Sequence, residues 1–280
     1  MIDQTATEVE QLIEMARGFR LDVLEMTSRY HAHLSSCLSA VEIMTAIYFG
    51  GVLRYRPHQP KWEERDRFIL SKGHAAPLFY TVLAHAGYFD TSRLAHFREI
   101  GDELHGHPIQ DSLPGVELTS GSLGQGLSFG IGHVLARRLS GLDYWVYVLM
   151  GDGECEAGQV WEAAMSAAHY KANQLVAIID HNQYQQTGPI QREMSLTPFD
   201  EKWRSFGWHV EECNGHNITD LLDTLQRAKQ VTDRPVVIIA HTVKGKGISF
   251  VEADYSFHGR GLSPEQAKLA REEILCRTVN

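Results

Sequence analysis

Apolar residues recur at helical spacing over positions 5–29 and 39–49, and the polar stretch RYHAHLSS separates the two. The rhythm then changes. A short apolar run, RFILS (67–71), reads as a strand, and PLFYTVLAHAGYF beyond it as a helix. After a segment punctuated by glycine and proline (101–123), GQGLSFGIGHVLARRLSG has the spacing of a helix closed by glycine. YWVYVLM (144–150) and LVAIID (175–180) are uninterrupted apolar strands, with helix QVWEAAMSAAHYK between them and the loop HNQYQQTG after the second. The remainder predicts a helix near 199–206, strand WHVEEC, turn NGHN, helix TDLLDTLQRAKQ, strand PVVIIAH, the glycine-rich loop TVKGKGIS and a final helix from Ser263.

Short β-branched runs alternating with helices of about ten to fifteen residues mark parallel strands joined by crossover helices. The expected fold class is α/β, a parallel sheet with helices on both faces. It is expected to form one domain over residues 1–280, with extra helices at the N-terminus and a loop and helix at the C-terminus. Charge narrows the partners. Lys and Arg number 26 against 35 Asp and Glu, a net charge of -9, and no basic run suits a phosphate backbone, which argues against nucleic acid. The acidic, amphipathic N-terminus MIDQTATEVEQLIEMARGF has the character of neither a secretory signal nor a transit peptide. No apolar run reaches the ~20 residues that span a bilayer. Cys37, Cys155, Cys213 and Cys276 are scattered without a CxxC pair, as expected of reduced thiols in a cytoplasmic protein.

Candidate chemistry starts where the most apolar strand ends. Gly151-Asp152-Gly153 follows YWVYVLM directly, and in an open parallel sheet ligands bind beyond the carboxyl ends of the strands. The two glycines let the backbone turn sharply and approach a ligand. The residues after Asp152 are expected to open a helix whose free N–H groups favour a phosphate. About thirty residues on, one strand–helix–strand unit later, Asn182 stands at the end of LVAIIDHN. A carboxylate, an amide oxygen and a loop carbonyl are hard donors, suited to Mg²⁺ bridging to phosphate oxygens and poor for zinc. Asp-Gly is also ordinary turn chemistry; the spacing to Asn182 and the strand context are what favour a site.

GDG followed about thirty residues later by Asn after a strand resembles the signature of thiamine diphosphate enzymes. SKGHAAPLFYTVLAHAGYF, GHP (106–108), PGVELTSGSLGQGLSFGIG, GDGEC, WEAAMSAAHYK, and AHTVKGKGISF followed by HG (258–259) resemble, in family order, the diphosphate-binding half of transketolase. The blocks run from about residue 15 to 262, nearly the whole chain. The resemblance implies the thiamine diphosphate-binding fold and transfer of a two-carbon ketol unit from a ketose or its phosphate to an aldose, with thiamine diphosphate and Mg²⁺. Transketolases carry a second, pyrimidine-binding domain that supplies the glutamate activating the cofactor, and then a third domain. The chain therefore resembles the N-terminal subunit of a split transketolase, which implies an α2β2 assembly with a separately encoded C-terminal subunit.

Carried over motif by motif, the resemblance gives Mg²⁺ to the side chains of Asp152 and Asn182 and the backbone carbonyl of Tyr184. It lays Gly153 and Asn182 against the diphosphate, and lines the cofactor pocket with Gly121, Ser122 and Leu123. His74 and His258 touch the cofactor, while His33, His107 and His258 handle substrate hydroxyl and carbonyl oxygens. Imidazoles suit a reaction in which the C2–C3 bond breaks as the C3 hydroxyl loses its proton, because proton transfer at neutral pH calls for groups titrating near it; the electron sink belongs to the cofactor. Two positions depart from the family. Gly-His-Pro-Gly is Ala32-His33-Leu34-Ser35 here, and Ala157 stands where a glutamate is common at the subunit interface, with Glu156 just before it and Glu162 matching the next acidic position.

Three alternatives remain at this stage. One is another thiamine diphosphate carboligase or decarboxylase subunit, and one is a non-catalytic partner subunit. The third is a zinc hydrolase built on His31-x-His33 and His105-x-His107, whose imidazoles would face the same way on a strand.

Overall fold

The computed structural model describes residues 6–276; residue 5, the expected start of the first helix, lies outside them. Three helices open the chain, α1 (Ala6–Arg29), α2 (Leu34–Leu38) and α3 (Val41–Phe49), followed by β1 (Arg67–Leu70), α4 (Ala76–His85) and α5 (Gln125–Ser140). Then come β2 (Val146–Gly151), α6 (Gly158–His169), β3 (Leu175–His181), α7 (Ile190–Glu193) and α8 (Phe199–Ser205). The rest comprises β4 (His209–Asn214), α9 (Ile218–Gln230), β5 (Val236–His241) and α10 (Pro264–Cys276). Local chemistry sets several boundaries. α5 stops at Gly141, whose φ of 68° closes the helix at no steric cost. α9 begins at Asn217, whose side chain accepts from Asp220 N at 3.0 Å.

The five strands are parallel in the order β1-β2-β3-β5-β4. Alternate residues of each inner strand serve two separate cores. Tyr147, Leu149, Val176, Ile178, Val236 and Ile238 pack with α1, α3, α4, α9 and α10, whereas Val148, Met150, Ala177, Ile179, Val237 and Ile239 pack with α5, α6 and α8. This period of two places helices on both faces, as the patterning predicted.

The connections leaving the strands decide where a ligand can enter. β1 and β5 run on to α4 and α10 on the first face, while β2 and β3 run on to α6 and α8 on the second. Their loops diverge at the carboxyl edge and leave a crevice between them. Register puts Gly151 beside Asp180, and His181 beside His241, so the residues that follow these strands share that edge.

Two local expectations need correction. The stretch RYHAHLSS is not merely a polar spacer: α2 begins within it, and Leu34 to Leu38 are all buried, serines included. Nor does Asp152 lead directly into a helix. A 3-10 turn, Gly153–Glu156, intervenes before α6 begins at Gly158, because the buried Glu154 carboxylate turns back to accept from Gly151 N at 3.1 Å and Gly124 N at 2.8 Å.

Candidate active site

A cleft of about 270 Å³ opens at the crevice. Asp152, Gly153, Asn182 and Tyr184 line one wall, and His33, His74, Lys72, Lys244 and His258 the other, with His107, Gly121 and Leu123 at its edge. Ser122, expected with its neighbours, is exposed and does not line the cleft. A larger hollow of about 360 Å³, between α1 and residues 91–95, shows no comparable convergence of groups.

On the first wall the Asp152 carboxylate is 1% exposed. It accepts from Gly153 N at 2.8 Å and from Gln183 N, and His181 Nδ1 lies 3.2 Å from Oδ2. Asn182 Oδ1 accepts from Tyr184 N at 3.1 Å, and Gln183 between them takes a φ of 67°. Both side chains thus sit in tight turns with their oxygens at the rim of adjoining strands. Gly153 serves packing as well as ligand approach, since a Cβ there would stand 2.9 Å from Gln185 Cβ. Gly121, at φ 139°, passes so close to His107 that a Cβ would meet its ring at 3.2 Å.

The second wall gathers histidines from four distant segments. The His33 ring lies 5.2 Å from His74, 5.1 Å from His258 and 6.2 Å from His107, centroid to centroid. Burial, then the charges of neighbours such as His107 and Lys244, pulls the His33 pKa down to about 4. Burial and Lys244 pull His258 down to about 3, and burial and Lys72 hold His74 well below its ordinary value. His107 is lowered by burial and Arg98. His33, His74 and His258 therefore protonate well below neutral pH, not near it as the sequence suggested, and His107 is shifted in the same direction. They are neutral there, each with one donor and one acceptor nitrogen. His258 Nδ1 is buried with no hydrogen-bond partner among the described residues.

Sequence reasoning gave no role to the lysines of SKGH and VKGKG, nor to Ser36 and Asp180. Lys72 Nζ pairs with Asp180 and donates to Ser36 O at 3.0 Å. Asp180 also accepts from Ser39 Oγ at 2.6 Å and from Thr242 Oγ1. Burial pushes its carboxyl up, yet the Lys72 charge and these hydrogen bonds together leave it below the ordinary value. Lys244 is 1% exposed and makes no ion pair among the described residues; Nζ donates to Ser36 Oγ at 3.1 Å. Burial and Lys72 lower it to about 8. A buried amine without a counter-charge at a cleft is a place for an anion. The signal was in the sequence, a lysine just ahead of Gly-Lys-Gly after a strand, but only contacts show its burial.

The zinc arrangement is not formed. His31 is exposed and accepts from Gly261 N at 3.2 Å, and His105 does not line the cleft. No group of three or more His, Cys, Asp or Glu among the described residues is placed to hold a metal ion. No described helix is long and apolar enough to cross a membrane.

The family model for the thiamine diphosphate binding domain of transketolase matches residues 9–276. A 6-deoxy-6-sulfo-D-fructose transketolase subunit of Clostridium sp. (strain MSTE9) is 39% identical over 242 residues, 86% of this chain and 88% of that one. An apulose-4-phosphate transketolase subunit of Actinobacillus succinogenes is 40% identical over 267 residues, 95% of this chain and 96% of that one. Among solved structures, a Pichia stipitis transketolase mutant in complex with fructose 6-phosphate superposes with a TM-score of 0.89 at 28% identity, over 94% of this chain and 40% of the longer one.

Proposed function

The chain belongs to the family of transketolase thiamine diphosphate binding domains, transferases by class, and from that premise we propose that it is the diphosphate-binding subunit of a two-subunit transketolase. The observation that carries this reading is the convergence in one cleft of Asp152 and Asn182, the unpaired Lys244 amine and the histidine cluster. The residues suit thiamine diphosphate with Mg²⁺. Asp152, Asn182 and the Tyr184 carbonyl would hold the metal, a set of oxygen donors proper to that ion. Lys244 would face the diphosphate, the role first expected of the helix after Asp152, and Gly153 and Gly121 leave room beside it. Ser122, off the cleft, has no part in this reading.

When bound, the cofactor supplies the electron sink for cleavage of the ketose C2–C3 bond. The chain's residues position and hydrogen-bond. His258 Nδ1, buried and unpartnered, is placed to bond cofactor or sugar, and His74 lies against it at 5.5 Å between ring centroids. His33 and His107 present neutral nitrogens to substrate hydroxyl and carbonyl oxygens, and a neutral nitrogen can accept the C3 hydroxyl proton.

The partner would bring the pyrimidine-binding domain and its glutamate. Phe129 on α5 and Met165 on α6 stand 45% and 59% exposed on two helices that pack together, and Leu123 is 41% exposed beside the cleft. We assign this apolar face to the partner, in an α2β2 complex. Four unpaired thiols accord with the cytoplasm.

The test is reconstitution. The isolated chain should not turn over, and the chain mixed with a C-terminal transketolase subunit should transfer ketol units with thiamine diphosphate and Mg²⁺. Because the relatives are named for sulfonated and phosphorylated sugars, donors should include ketose phosphates and 6-sulfo ketoses, with 2-oxo acids as the contrast. Turnover by the chain alone, or turnover of 2-oxo acids only, would overturn the proposal.

A further inference from the structure

The loop that carries Lys244 is gripped from behind by a buried ionic group that never reaches the cleft. Glu42, on α3, is 2% exposed and uses its two oxygens for different partners. Oε1 lies 2.6 Å from Arg20 Nη2, and Arg20 Nε donates to Lys246 O at 3.2 Å. Oε2 lies 3.0 Å from His216 Nδ1, and His216 Nε2 accepts from Val243 N at 2.8 Å. One carboxylate therefore reaches both sides of Lys244, through an arginine on the C-terminal side and an imidazole on the N-terminal side.

The hydrogen bonds fix the state of the imidazole. Since Nε2 receives an N–H, the proton is on Nδ1 and points at Glu42. Glycines make the approach feasible. At Gly215 a Cβ would stand 2.4 Å from Thr242 Cγ2, so only glycine lets the turn before His216 lie against the end of β5. Gly247, at φ 101°, passes within 3.1 Å of Arg20 Nε, measured from where a Cβ would be. Ser35 O, accepting from Gly245 N at 2.9 Å, completes the hold.

We propose that Arg20, Glu42 and His216 are positioning residues for cofactor binding: they act as a clamp that sets the Val243–Lys246 backbone so that the Lys244 amine faces the diphosphate. The inference rests on the reading of Lys244 given above. None of the three residues touches the cleft, so their effect must pass through Lys244.

The experiment is isothermal titration of thiamine diphosphate, with Mg²⁺ present, into the chain reconstituted with its partner subunit. His216→Phe keeps a ring and removes both hydrogen bonds; it should weaken binding about tenfold to a hundredfold, the scale of a hydrogen bond that orders a charged group. His216→Gln, which can accept from Val243 and donate to Glu42, should recover most of that loss. In a Lys244→Met background His216→Phe should add little, because the clamp would have nothing left to position. Unchanged binding by His216→Phe, or a loss that adds in full to that of Lys244→Met, overturns the proposal. Should His216→Phe not fold, Glu42→Gln is measured in the same two backgrounds and judged by the same outcomes. Failure of the unmutated complex to bind thiamine diphosphate would instead sink the underlying functional reading.

Discussion

The wall of the cleft formed by the ends of β2 and β3 satisfies its polar side chains chiefly with backbone N–H groups of its own two turns, whereas the facing wall satisfies them with side chains drawn from the whole chain. Asp152 and Asn182 accept from Gly153, Gln183 and Tyr184. On the facing wall Lys72 is held by Asp180, which reaches it from the first face of β3 and also accepts from Ser39 and Thr242, and Lys244 is held by Ser36. A wall built from backbone survives changes in neighbouring side chains, because every residue but proline offers an N–H. A wall built from buried charges depends on each partner, since removing one leaves the other desolvated and alone.

The largest expected effect tests that dependence. Asp180→Leu should cost about 3–5 kcal/mol of stability in urea unfolding, because the Lys72 ammonium, 1% exposed, would lose its carboxylate. Lys72→Met combined with Asp180→Leu should recover much of the loss, as replacement of a whole buried pair by apolar groups often does. A double variant as unstable as Asp180→Leu alone would show that the hydroxyls of Ser39 and Thr242 matter more than the pair.

The opposite wall should respond more in function than in fold. Asp152→Asn keeps one oxygen, enough for one of the two N–H groups that Gly153 and Gln183 now direct at separate carboxylate oxygens, and removes the charge offered to a metal ion. Reconstituted ketol transfer should fall about a hundredfold or more, at or beyond the upper end of what supporting residues of metal sites cost, while stability falls by about 1–3 kcal/mol for the one N–H left without an acceptor, less than for Asp180→Leu. Equal losses of activity and stability would erase the contrast between the walls.

The same contrast explains what was legible in the sequence. Strands, crossover helices and the Asp152–Asn182 pair follow from period, composition and turn chemistry, all local, and the structure places them within a few residues of where the pattern did. Asp180 reads in sequence as the last residue of an apolar run. Its burial follows from the same alternation that buries Val176 and Ile178 on the first face, and its tolerance from residues 62 to 141 positions away. α2 escapes the pattern for a similar reason: Ser35 and Ser36 look like solvent-facing residues until their partners Phe257, Lys72 and Lys244 are known. The four histidines could be grouped only by resemblance to a family, because no spacing rule relates positions 33, 74, 107 and 258.

The smallest expected effect concerns pH and those histidines. In the unfolded chain a histidine takes up a proton near its ordinary value of 6.5; folded, His33 does so near 4 and His258 near 3. Between these limits the unfolded state binds more protons, so stability must fall as pH falls below about 6.5, and the fall from His33 ends near pH 4 while that from His258 continues toward 3. Each ring contributes at most about 1.4 kcal/mol per pH unit, less here because both are only half-buried and solvent screens them. Asparagine at positions 33 and 258 keeps polarity without the titration. Urea midpoints at pH 7 and pH 5 should therefore differ less in the His33→Asn/His258→Asn variant than in the unmutated chain, since every other titrating group is common to both. An identical pH dependence in the two proteins would mean that these rings are open enough to water to take up protons as freely folded as unfolded, and the second wall would then be wetter than its contacts imply.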